Sequence, residues 1–134
     1  MRHATITLCI IVAIFACPCA RGQRNGDLSR EDRLRVGSIA SKAGTDAGRK
    51  YLLETPPDNL APCGHQRAAY DAARKSLSDA HHDPKLVPEI FLIDLNMCED
   101  MVTDQGSAFA LRIQRSEQSA ALHQEKLRQH ETKP

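Results

Sequence analysis

Aromatic side chains are nearly missing from this sequence, which has no tryptophan, two tyrosines and three phenylalanines. Phe15 lies in an apparent leader, so a folded domain can draw only on Tyr51, Tyr70, Phe91 and Phe109. Its core therefore has to be thin and built mostly from Ala, Leu, Ile and Val. Excess charge of either sign is missing too. Lys and Arg number 18 against 17 Asp and Glu, a balance that argues against nucleic acid as the partner, because phosphate recognition needs a basic face. The longest apolar run, Ala4 to Ala16, covers 13 residues, short of the roughly 20 that a helix needs to cross a bilayer core. No stable membrane span is expected. The sequence has no glycine-rich phosphate loop, G-x-S-x-G elbow, H-E-x-x-H helix or C-x-x-C pair, and so none of the compact signatures of catalysis. It also has no internal repeat and no low-complexity tract. A thin core in so short a chain offers little room for a water-excluding pocket. The expectation is a non-enzyme without a cofactor.

What is present begins with an address. The first 22 residues, MRHATITLCIIVAIFACPCARG, combine a basic start at Arg2, the short apolar run and a small-residue exit, the three parts of a secretory signal peptide. Ala20-Arg21-Gly22 places small residues at the last and third-last positions and leaves Gln23 as the new N-terminus; a cut after Ala20 is the neighbouring choice. The rival is a lipoprotein site with an acylated Cys17, against which stand bulky Phe15 before the cysteine and Pro18 after it. Cleavage leaves about 112 residues, enough for one domain, with a net charge near minus one because Arg2 and Arg21 depart with the leader. Cys9, Cys17 and Cys19 depart as well, which leaves Cys63 and Cys98. In an oxidising compartment, secreted or periplasmic, a disulfide between these two is the economical reading. The loop it closes holds 36 residues counting both ends, worth about 4 kcal/mol by loop-closure entropy.

Helical periodicity runs through the mature chain, and no convincing pair of strands does. The expected fold is all-α, a small bundle of three to four helices with one disulfide. Residues 23–28 read as a flexible start, 29–113 as the helical domain and 114–134 as a polar helical tail that frays. Ser29 with Asp32 three residues on marks a capped helix start. Val36, Ile39, Ala40, Ala43, Ala47 and Tyr51 form the first apolar stripe. Gly37, Gly44 and Gly48 interrupt it, so either the helix breaks near Gly44-Thr45 or the glycines admit a close neighbour. The stretch Thr55 to Gly64 reads as a loop. A second helix from about Gly64 to His81 turns Ala69, Tyr70, Ala73, Leu77 and Ala80 to one side, and His81-His82-Asp83-Pro84 ends it. The third segment carries most of the hydrophobic mass: Ile90, Phe91, Leu95, Met97, Cys98, Met101 and Val102 share a broad arc, extended to Ile113 if Gly106 does not break it. Residues 90–97 also alternate as a strand would, but nothing of similar quality exists to pair with them.

Two groups of residues invite a functional reading. Asp94 falls within the apolar arc of the third segment, where a carboxylate must be paired, protonated or exposed at an unfilled groove. A structural ion pair is one account. The other is a binding surface of Asp94, Phe91, Met97 and Met101, an apolar face with an acidic centre suited to a partner that brings a basic residue. His81, His82 and Asp83 place three potential metal ligands at one helix end, although a histidine there also favours the helix dipole. The acidic residues between Asp79 and Asp104 read as a solvated face. Together these features describe a small exported helical protein acting by protein–protein binding, as inhibitors, immunity factors and small chaperones do. The alternatives are a metal-binding exported protein using His81 and His82, and a lipoprotein accessory subunit of an envelope complex.

Overall fold

The structure is a computed structural model that describes residues 28–133. The expected signal peptide, its cleavage site, Cys17 and residues 23–27 of the expected loose start lie outside those residues. Four helices make up the fold: α1 (Arg30–Glu54), α2 (Gly64–Asp79), α3 (Glu89–Gln105) and α4 (Ser107–Glu131). Single 3-10 turns at Pro57–Asn59 and Pro84–Leu86 occupy the first two connections, and no strand occurs among the described residues. Ser29 caps α1, its hydroxyl accepting the Asp32 N–H at 3.0 Å and donating to the Asp32 carboxylate at 2.7 Å. These bonds satisfy one of the orphan amides that begin every helix. Leu28, at the end of the expected loose start, is buried.

The first helix does not break at Gly44. Its buried line is Val36, Ala40, Gly44, Gly48 and Leu52, at a spacing of four, and the flanking Ile39, Ala43, Ala47 and Tyr51 are only half-buried. The glycines lie in the contact stripe itself. A Cβ on Gly44 would stand 2.6 Å from the Phe91 ring and 2.9 Å from the Ala69 carbonyl oxygen, and one on Gly48 would stand 2.8 Å from His65. The missing side chains therefore let α2 approach α1 closely and admit the Phe91 ring of α3 against Gly44. On α2, Ala69, Ala73 and Leu77 answer this stripe, and α1 with α2 forms the most extensive helix pairing in the fold. Val36, Ala40, Ala73 and Leu77 make one core cluster, capped by Leu86, Val87 and Phe91. Burial of large members such as Leu77 and Val36 contributes about 1.5–3 kcal/mol each. Ala80, expected on the buried face of α2, is exposed, because the helix has already ended at Asp79.

The end of α2 is set by His81, which has a left-handed backbone with φ of 60°. Its N–H donates to the Ser78 carbonyl and the N–H of His82 reaches back to Leu77. These are the two bonds of a Schellman stop, a position where glycine is the usual occupant. The second cluster holds Cys63, Leu95 and Cys98, with Tyr70 and Val102 packed on it. Cys63 and Cys98 stand at disulfide-bonding distance, Cα to Cα 5.7 Å, and so join the entry of α2 to the middle of α3.

Gly106 does break the third segment. Its φ of 86° and ψ of 161° end α3 and start α4, a conformation open essentially to glycine alone. The expected boundary between residues 113 and 114 falls inside α4, which runs on without interruption to Glu131. Its buried line is Ala110, Gln114 and Gln118, again at a spacing of four. The two amides are bonded at the α1–α2 connection. Gln118 Nε2 donates to the carbonyls of Leu52 at 2.8 Å and Thr55 at 2.7 Å, at the end of α1. Gln114 Oε1 accepts the His65 N–H at 3.0 Å, at the start of α2. Cys63 provides no side-chain cap there, so α4 supplies the missing partners for both helix ends.

Candidate functional site

A cleft of about 700 Å³ opens where the four helices meet. Buried Gly44 and Leu52 from α1, Ala69 from α2 and Cys98 from α3 form its deep part. Phe91, Asp94, Met97 and Met101 line it from α3, and Ile113, Glu117 and Ala121 from α4. The cleft is open to solvent and is not the water-excluding pocket for which little room was expected. With α4 turned away from the line of α3 at Gly106, the helices leave a trough between them.

All four residues of the expected surface, Asp94, Phe91, Met97 and Met101, meet on this cleft. Phe91 and Met101 are half-buried, whereas Asp94 is exposed and Met97 is 64% exposed. The broad arc read for α3 is therefore divided. Leu95 and Cys98 are buried, and Ile90 and Met97, expected among them, are not. An arc that wide exceeds what its neighbours can cover, and α2 and α4 take only part of it. Asp94 forms no ion pair among the described residues. The carboxylate that α3 does pair is Glu99, which takes Arg67 of α2 at 2.7 Å.

The polar side of the cleft comes from residues that carry no motif. Glu117 Oε2 accepts from Gln114 Nε2 at 2.7 Å and lies 3.4 Å from His65 Nδ1. That nitrogen is buried and makes no hydrogen bond of acceptable angle. Arg49 of α1 pairs with Glu125 of α4 at the same cleft. Arg128 first, and then Arg49, hold the Glu125 carboxyl below its ordinary value against the opposing effect of burial. No hydroxyl or thiol among the described residues is hydrogen-bonded to the His65 or Glu117 side chain. These residues were not visible as a site beforehand because they are spread from Arg49 to Glu125, and only the folded helices collect them.

His81, His82 and Asp83 do not converge on a point. The His81 backbone makes the helix stop, and the Asp83 carboxylate accepts the Lys85 N–H at 2.9 Å in a local turn. Among the described residues no group of three or more His, Cys, Asp or Glu side chains is arranged to hold a metal ion. No described helix is long and apolar enough to cross a membrane. No protein family, curated protein or solved structure matches this chain.

Proposed function

We propose that this chain is an exported binding protein, secreted or periplasmic, that holds a segment of a partner protein in the cleft shared by its four helices. One observation carries the reading: an open, largely apolar cleft of about 700 Å³ whose rim exposes Met97 and an ion-pair-free Asp94. Exposed apolar surface of this kind on a small domain marks an interaction site. Export is supported by the leader-like first 22 residues and by the cysteine pair at disulfide distance.

The full chain, expressed with its leader and recovered from the compartment it reaches, tests both parts. Intact mass before and after reduction should show a start at Gln23 or Arg21 and two thiols that appear only on reduction. A start at acylated Cys17 would make it a membrane-anchored subunit instead. A partner retained by the wild type and by Asp71→Asn, on the far face of α2, should be lost with Met97→Asp and Met101→Asp. Equal retention by all four proteins would remove the cleft as the binding site.

A further inference from the structure

We infer that the partner segment is a cationic amphipathic helix of about three turns, contributed by another protein, that lies along the α3 rim of this cleft; the inference rests on the binding role proposed above. α3 carries a second apolar strip besides the one it packs inward. Ile90, Ile93 and Met97 are 55%, 47% and 64% exposed and stand three and four residues apart; Met97 and Met101 line the cleft, and Ile90 and Ile93 continue the strip outside it. At 100° per residue these four side chains point within about 40° of Met97. Glu89, Asp94, Asp100 and Asp104 flank the strip within about 80° of the same direction; Asp94 stands on the cleft side, and the other three lie outside the cleft lining along the exposed strip. None of the four carboxylates is in an ion pair among the described residues.

Charge decides between occupants. A second copy docked face to face would bring the same four carboxylates against these four, so like charges oppose an isologous dimer here. An anionic lipid surface is repelled for the same reason. A partner with Lys or Arg beside its apolar residues meets both halves of the pattern. The backbone decides its conformation. An extended peptide would leave its own N–H and C=O groups without partners, since no strand edge exists among the described residues. A helix satisfies its backbone internally and offers apolar anchors at three- and four-residue spacing. The strip from Ile90 to Met101 is about 17 Å long, which sets the three turns.

The probes are three fluorescent 14-residue peptides: a Leu/Lys amphipathic helix, the same pattern in Leu/Glu, and a Leu/Lys scramble without helical periodicity. Titrated against the disulfide-bonded mature protein, the Leu/Lys helix should bind at least about tenfold more tightly than the other two. Asp94→Asn should weaken it about threefold, the scale of one exposed ion pair, and Met97→Asp should abolish it, while Asp71→Asn leaves it unchanged. Asp94 and Met97 are exposed, and unchanged melting of their variants establishes that the fold is intact. Equal binding of Leu/Glu and Leu/Lys with loss on Met97→Asp would overturn the charge inference and leave the cleft reading standing. Equal binding of the scramble, or equal loss on Asp71→Asn and Asp94→Asn, would overturn the helix inference as generic attraction. No effect of Met97→Asp would overturn both readings.

Discussion

At Gly44 and Gly37 the same change, one added methyl group, should act in opposite directions. A methyl on Gly44 meets the Phe91 ring and the Ala69 carbonyl oxygen, the latter at 2.9 Å and part of the α2 backbone. Phe91 can rotate away but the carbonyl can move only with its helix, so Gly44→Ala should cost about 1–3 kcal/mol. Nothing stands within 4 Å of the corresponding position on Gly37, so Gly37→Ala should stabilise the helix by about 0.5–1 kcal/mol. Urea unfolding of the two variants checks this, and a loss at both positions would show that α1 packs differently. The sequence posed the choice at Gly44, a break or a close neighbour, but could not decide it, because the answer depends on residues 69 and 91 arriving from other helices. Asp94 was legible for the opposite reason: its own helix supplies the apolar neighbours that make it conspicuous.

At the scale of elements, α4 holds the bundle together through polar groups. Gln118 Nε2 serves two carbonyls at the end of α1. Gln118→Leu keeps the volume and strands both acceptors, which should cost about 1–3 kcal/mol; a change below about 0.5 kcal/mol in urea unfolding would mean that water replaces the amide. The residues from 114 onward read as a solvated tail because hydropathy counts an amide as exposed. Its burial is stabilised by helix ends far away in sequence, and only the spacing of Ala110, Gln114 and Gln118 hinted at a contact line. Glu125, paired first with Arg128 of its own helix and also with Arg49 of α1, should make stability pH-dependent. Glu125 has a lowered pKa, so its contribution is full above the ordinary glutamate value of about 4.3 and is lost as pH falls through the lower folded value. The thermal midpoint of wild type minus that of Glu125→Gln should be positive at neutral pH and shrink towards zero below about pH 4. A difference independent of pH would remove the ion pairs from the account.

For the whole molecule, four helices around a core with few aromatics leave the Cys63 and Cys98 link a large share of the stability. Reduction of the wild type and Cys63→Ser should each lower stability by about 2–4 kcal/mol, with nearly equal unfolding midpoints; an unchanged midpoint on reduction would mean that the link is not structural. Helix content and the cysteine pair could be read from periodicity and from counting cysteines. The cleft could not, because it is a product of how α3 and α4 diverge at Gly106. The same geometry explains why the apolar arc of α3 is only partly used inside: one side closes the core and the other is exposed. Replacing Met97 in the cleft, and separately Arg74 on the outer face of α2, by a photo-crosslinking residue tests the central claim in the protein's own compartment. The account predicts one partner protein crosslinked from position 97, through a basic amphipathic helix, and none from position 74. The same products from both positions, or a crosslink from 97 only to a second copy of this chain, would contradict it.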